Sequence, residues 1–355
     1  MPEKVILELE RWKGLSSEEL GLTAPDLKIT THRYENQWGQ QFNVLVVDAR
    51  KSDSDPTIIT STSFDYRIDE LLENRMAILA TRSDARVIVS ETPGITMDRN
   101  DPFHTKGAWQ TPRQTTLAFS GNLDPLALEQ LRAIDSVVGL DEYAELQFFG
   151  ESFSADAVVA MARVIAQRKF DKGIRITRMD LNEPVNAYGN YTIFRQAMML
   201  RSLATREDRL LHVYLNENTL IGHGEVSAFE KQPNINKRAD RYVKHRQIPA
   251  TYLSGAGLRK GLHTALKDAL SNVDSDGPHL RDAPIVIARG IDSSVSLEKD
   301  LISAADTIRD NGGQAKTISL EAPVGDKTLI AHHVTSSFAR FASYTDARVQ
   351  SLKEN

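Results

Sequence analysis

The sequence predicts an α/β fold, a mostly parallel sheet flanked by helices and interrupted by an inserted helical block, on three observations. Short β-branched runs alternate with amphipathic stretches at helical spacing. The alternation stops near residue 181 and resumes near residue 281. Asp-Pro, Pro-Gly and Gly-Gly pairs punctuate the joins. Repeated strand-helix units of this kind bury a parallel sheet between helices on both faces.

The elements follow in order. Phe42 to Val47 and Thr57 to Ser61 are strands, the second bounded by Asp55-Pro56. Ile68, Leu71, Leu72, Met76 and Leu79 fall at three- and four-residue steps, which places them on one helix face. Arg86 to Ser90 is a buried strand ended by Thr92-Pro93-Gly94. A helix starts at about Asp124, where Asp124-Pro125 supplies an N-cap and a first-turn proline, and Gly139 closes it. Glu145 to Phe149 is a strand, Gly150 to Ser154 a tight turn, and Ser154 to Gln167 a helix rich in small residues. The next strand begins at Gly173 to Thr177. Residues 181 to 280 then carry long amphipathic stretches, including Ile193 to Leu203 and Leu258 to Leu270, and form the helical insertion. Strand character returns at Pro284 to Arg289, followed by a helix over about 297 to 311, the Gly312-Gly313 stop, a strand over 315 to 320 and a last helix with Phe338 and Phe341. The predicted division is core 1–180, insertion 181–280 and core 281–355.

Composition narrows the chemistry. The chain has 355 residues, 41% hydrophobic and 26% charged, and 43 basic against 48 acidic side chains give a net charge of −5. This is the balance of a folded globular protein. The absence of cysteine excludes disulfides, thiolate metal sites and a cysteine nucleophile. The N-terminus alternates charge with apolar residues and lacks a secretory apolar stretch, and no apolar run approaches the roughly 18 to 20 residues that span a bilayer. The expected location is cytoplasmic, with no membrane and no nucleic-acid partner, while self-association stays open. Lys231 to Arg246 is basic, and a solvated helix face is its reading in a slightly acidic chain.

The sharpest local feature is Gly150-Glu151-Ser152-Phe153-Ser154, a serine at the apex of a turn between a strand and a small-residue helix. Such a turn needs small residues two places before and after the serine, and Gly150 and Ser154 supply them. It exposes the Ser152 hydroxyl above the sheet and aims the Phe153 backbone N–H at a developing oxyanion. A serine hydroxyl is a poor nucleophile unless a histidine takes its proton and a carboxylate orients that histidine. Asp292 follows a strand's C-terminal end, and His332 and His333 follow the last strand. Asp180, following Thr177-Arg178-Met179, is an alternative for the acid, although aspartate often sits at such a place simply as a strand-end cap.

On these residues the chain resembles the α/β-hydrolase superfamily, over roughly residues 40 to 180 and 281 to 345. The order Ser152, Asp292, histidine matches, Ser90-Glu91-Thr92-Pro93-Gly94 resembles the family's Asp-x-Pro-Gly turn, and the helical block resembles a cap. Two departures stand out: Ser61-Thr62-Ser63-Phe64 replaces the family's His-Gly, and Ser154 replaces the last glycine of the elbow. The resemblance implies a serine hydrolase acting on an ester or related acyl bond of a small molecule. Its roles would be Ser152 as nucleophile, His333 in preference to His332 as base, Asp292 as acid, and the amides of Phe153 and of Ser63, with Phe64 next, as oxyanion donors. A catalytically silent binding protein and an acyltransferase using the same serine are the rival readings.

Other clusters carry less. Asp98, Asp101 and His104 sit beside Pro102 as an ordinary polar loop, and His223 and Glu225 are similar. Gly255-Ala256-Gly257 lacks the preceding strand and third glycine of a dinucleotide turn. No cofactor and no metal are indicated.

Overall fold

The computed structural model describes residues 4–13, 27–62, 68, 70–93, 123–142, 144–151, 154–170, 172–182, 266–267, 269–270, 280–291, 298–320 and 338–353. Nine strands form one sheet in the order β1-β2-β3-β5-β4-β6-β7-β8-β9. These are β1 Lys4–Lys13, β2 Leu27–Glu35, β3 Gln41–Asp48, β4 Thr57–Ser61, β5 Arg86–Ser90, β6 Glu145–Glu151, β7 Arg175–Asn182, β8 Pro284–Gly290 and β9 Gln314–Leu320. The helices are α1 Glu70–Ser83, α2 Asp124–Val138, α3 Ser154–Ala166, α4 Glu298–Asp310 and α5 Phe338–Lys353.

Strands β1, β2 and β3 form an antiparallel meander, and β3 pairs antiparallel with β5. From β5 across β4, β6, β7, β8 and β9 every pairing is parallel. The predicted mostly parallel sheet is therefore present, and β1 and β2 extend it beyond the strands expected from the sequence.

Successive residues of a strand point to opposite faces, and here both faces are covered. Ile59, Ile88, Phe148, Ile285 and Ile287 share a core with Leu131 and Ile134 of α2, Val158 and Val159 of α3, and Leu301 and Ile308 of α4. Their strand neighbours Ile58, Val87, Val89, Phe149 and Ala288 share a second core with Met76 to Ala80 of α1 and with Phe341 and Tyr344 of α5. Each large apolar side chain buried this way contributes about 1.5 to 3 kcal/mol. Leu266, Ala269 and Leu270, near the end of the 181–280 segment, are buried in the first of these cores.

Helix α2 shows how local signals set boundaries. Pro125 occupies its first turn, the N-cap is Leu123 rather than Asp124, which lies inside the first turn, and Gly139 ends the helix with φ 63°, a left-handed conformation that glycine adopts without a Cβ clash. No helix among the described residues is long and apolar enough to cross a membrane.

The arrangement of helices locates a crevice. The connection leaving β4 runs through α1 on one face, and the connection leaving β6 runs through α3 on the other. Adjacent parallel strands whose connections part in this way leave an opening at their carboxyl ends, where open α/β sheets bind ligands. The segments after Ser61 and after Glu151 begin on the two sides of that opening.

Candidate active site

The turn between β6 and α3 is tight because the helix crosses directly over the strand. A Cβ at Gly150 would lie 2.5 Å from Ala155 Cα and 2.6 Å from Val158 Cγ2. Only glycine fits this approach. Ser154 opens α3 and binds the turn to itself: the Glu151 backbone N–H donates to Ser154 Oγ at 2.6 Å, and Ser154 Oγ donates to the Glu151 carbonyl at 2.8 Å. The departure from glycine at this position thus adds a reciprocal hydrogen-bonded clasp, and Ser154 is 3% exposed. Ser152 and Phe153, between the clasped residues, lie outside the described residues.

Glu151 carries the most perturbed carboxyl of the turn. Burial pushes it up to about 7, and the positive charge of Arg75 on α1 offsets only part of that rise.

The segment after β4 is fastened at both of its ends. The Thr62 N–H donates to the Ser90 carbonyl at 3.0 Å. Gln130 Nε2 donates to Ser61 Oγ at 2.8 Å, and also reaches the carbonyls of Ser90 and Glu91. Glu91, 6% exposed, accepts from the Asn43 N–H at 2.8 Å and the Ile68 N–H at 3.1 Å, one on each carboxylate oxygen. The turn that resembles Asp-x-Pro-Gly therefore ties β3 to the far end of the loop carrying Ser63 and Phe64, which themselves lie outside the described residues.

Just before the candidate acid in sequence, Arg289 fixes the exit of β8. Its Nε donates to the Gly290 carbonyl at 3.0 Å and its Nη2 to the Ile291 carbonyl at 2.7 Å, while the Ile291 N–H donates to Leu320 O at 2.8 Å. Asp292 is the next residue and lies outside the described residues, as do His332 and His333 between β9 and α5. Strands β4, β6, β8 and β9 run parallel, so the strands that precede Ser63, Ser152, Asp292 and the two histidines in sequence end on one edge.

Asp180 has a structural role. Its carboxylate is 0% exposed, accepts from Arg178 Nε at 2.8 Å and Nη2 at 2.7 Å, and accepts from Arg348 Nε on α5 at 2.7 Å. Burial alone would raise its carboxyl, but the two guanidinium groups overcome that and hold it below the usual range. A fully buried carboxylate with both oxygens engaged by two guanidinium groups is placed to hold α5 against the sheet rather than to orient an imidazole at its carboxyl edge.

The remaining sequence clusters, Asp98, Asp101 and His104, His223 and Glu225, Gly255 to Gly257, and Lys231 to Arg246, lie outside the described residues. Among the described residues no group of three His, Cys, Asp or Glu side chains could hold a metal. A cavity of about 420 Å³ is lined by Trp38 and by α2 and α3 residues such as Leu128, Glu129 and Val164, none of them at the strand ends that precede the candidates.

The strand order, the parallel run from β5 to β9 and the glycine-requiring turn after β6 are those of an α/β-hydrolase, and the chain has that fold. A carboxyl esterase from Bacillus coagulans, solved with glycerol, matches with a TM-score of 0.56 at 8% identity, covering 91% of this chain and 97% of that one. DcsB, solved with a substrate analogue, matches with a TM-score of 0.50 at 14% identity, covering 92% of this chain and 99% of that one. No family model and no curated protein matches at the level of sequence. At such identities the likeness is one of fold, and the chemistry has to be argued from the site.

Proposed function

We propose that the chain is a serine hydrolase that cleaves an ester or related acyl bond of a small molecule through an acyl-enzyme on Ser152. The observation that carries this reading is the turn at Gly150, where the Cβ-excluding crossing of strand and helix is the local geometry a nucleophilic serine two residues later requires. The opening between β4 and β6 and the esterase fold neighbour support it.

In this reading Ser152 Oγ attacks the acyl carbonyl while His333, or His332, takes the hydroxyl proton. Asp292 holds the imidazole in the tautomer that accepts it. The amides of Phe153 and Ser63 receive the negative charge of the tetrahedral intermediate. Collapse expels the alcohol, which takes the proton from the imidazolium, and water repeats the sequence to release the acid. The insertion expected over 181 to 280, less Leu181 and Asn182 of β7 and the core residues from Leu266 on, forms the cap over the acyl pocket.

The test is labelling by a fluorophosphonate, which only an activated serine attacks quickly, read by intact mass. Single labelling that is abolished by Ser152→Ala and by one of His332→Ala and His333→Ala is the expected result. An unlabelled wild type, or labelling that survives Ser152→Ala, overturns the assignment.

A further inference from the structure

Strand β9 closes one edge of the sheet: among the described residues it pairs only with β8, and its register with that strand is unbroken from Gln314 to Leu320. A row of backbone donors and acceptors left at a sheet edge is a template for a further strand. Which residues form that row follows from the alternation along the strand. The Leu320 carbonyl accepts from the Ile291 N–H at 2.8 Å and so faces β8. Ile318 and Lys316 share its side, while Ala315, Thr317 and Ser319 turn their N–H and C=O groups outward. The Ala315 carbonyl is already taken, by Arg309 Nη2 of α4 at 3.1 Å. Thr317 and Ser319, both exposed, remain.

These two residues are complementary to a second copy of themselves. When an antiparallel β9 is placed with Ile318 opposite Ile318, Thr317 of each copy faces Ser319 of the other. The facing residues exchange both backbone bonds, and the twofold axis repeats them. Ile318, half-buried on the α1 and α5 side, then meets its own copy at the closer, non-hydrogen-bonded spacing. Lys316 falls opposite Leu320 rather than another lysine, so no like charges are opposed. An axis through Thr317 would instead need the Ala315 carbonyl that Arg309 holds.

Helix α4 flanks the same edge. It packs on β8 and β9 and buries Leu301, Ala304, Ala305 and Ile308. Arg309 reaches the outer side of β9 and also donates to Asp306 at 3.2 Å, which marks Ile302, Asp306 and Arg309 as the helix stripe above the edge. Ile302 on that stripe is 50% exposed. Strands about 4.8 Å apart would set the two α4 helices roughly 10 Å from each other, the spacing of packed helices, with these stripes between them.

We infer that β9 and the Ile302 stripe of α4 form a homodimer interface, in which two copies of this chain join antiparallel through Thr317 and Ser319 into one continuous sheet. The inference is independent of the serine chemistry. Self-complementary pairing, with an isoleucine on each face of the junction, favours a second copy over an unrelated strand.

Sedimentation equilibrium of the full chain is expected to show a dimer at concentrations up to about 100 μM. Thr317→Pro removes an outward N–H that β8 does not use, and is expected to weaken the dimer more than about tenfold. Ile302→Lys, an exposed change that leaves β9 intact, is expected to weaken it as well, with thermal unfolding to confirm that both variants are folded. Should Thr317→Pro not fold, Ile302→Lys and a cysteine variant decide. The chain has no cysteine, so Ile318→Cys reports the register alone. Cα atoms about 4.5 Å apart suit a disulfide, and oxidised glutathione should lock the dimer, read as a doubled intact mass. A protein that stays monomeric leaves β9 to a strand of some other protein and overturns the inference. So does a dimer unchanged in the folded variants, or one that Ile318→Cys does not lock.

Discussion

Asp180 on β7 and Arg348 on α5, 168 positions apart in the chain, are joined by a hydrogen-bonded ion pair of 2.7 Å with both side chains at 1% exposure or less. Arg178 closes the cluster from the same strand, and Ser351 Oγ accepts from Arg178 Nη2 at 3.1 Å. The pair fastens the C-terminal helix to the centre of the parallel sheet. Removing one partner strands the others, and for buried pairs this costs about 3 to 5 kcal/mol. Asp180→Asn and Arg348→Met are each expected to lower the unfolding free energy from urea titration by that order, and the double replacement by less than the sum. The Asp180 carboxyl is held below its unfolded value, so its stabilisation is present above the unfolded pKa, near 4, and is lost as pH falls through the folded one. Wild type is therefore expected to lose stability in acid more steeply than Asp180→Asn, which unfolding midpoints at pH 3 and pH 7 will compare.

Gly150→Ala tests the elbow as a packing constraint. The added methyl would stand 2.5 Å from backbone Ala155 Cα, and neither β6 nor α3 can retreat without opening the core between them. A loss of about 3 kcal/mol is expected, at the upper end for overpacking, together with loss of labelling at Ser152. Ser154→Ala removes only the clasp and is expected to cost about 1 to 2 kcal/mol while the protein stays folded. Thermal unfolding and probe labelling of the same samples decide between the two sizes of effect.

Glu91 fastens both sides of the segment that carries Ser63, the proposed second oxyanion donor, without belonging to it. Glu91→Ala leaves the Asn43 and Ile68 amides without their acceptor, a loss of about 2 kcal/mol by chemical denaturation. Labelling should slow more than about tenfold, because a donor amide displaced by about 1 Å stabilises an oxyanion poorly. Glu91→Gln keeps one acceptor oxygen and is expected to fall between wild type and alanine. Equal labelling rates in all three proteins would mean that this tether does not position the oxyanion loop.

Where sequence and structure agree, the signal is local. Thr57–Ser61 and Arg86–Ser90 occupy the expected spans because short β-branched runs bounded by turns have few alternatives, and α2 starts and stops where proline and glycine place it. Strand β2 escaped notice because it buries Thr30, His32 and Glu35 among its apolar residues, which blurs the alternation that marks a strand. Asp180 looked available because its first arginine is two residues away but its second comes from α5, and long-range pairing leaves no trace in local spacing. Ser152, Asp292, His332 and His333 are candidates through the strands that precede them in sequence and lie outside the described residues, while the surroundings of Glu151 involve α1 and β7 and are visible only in three dimensions.

The charge of Glu151 should register in stability, independently of any activity. Its folded-state carboxyl titrates near 7 and its unfolded counterpart near 4.5, so between those values the native state holds a proton that the unfolded chain has released. A raised carboxyl contributes stability that is fully present below the unfolded pKa and is lost as pH rises through the folded one. The slope approaches about 1.4 kcal/mol per pH unit for one proton, and flattens above pH 7 once both states are ionised. Glu151→Gln removes this titration, because an amide carries no proton to lose. Relative to wild type, the glutamine variant should therefore gain stability as pH rises from 5 to 8. Urea midpoints at those two values measure the difference directly, and a gap between the proteins that stays constant would show that Glu151 does not titrate in this range and that its carboxyl lies in water rather than beneath the turn.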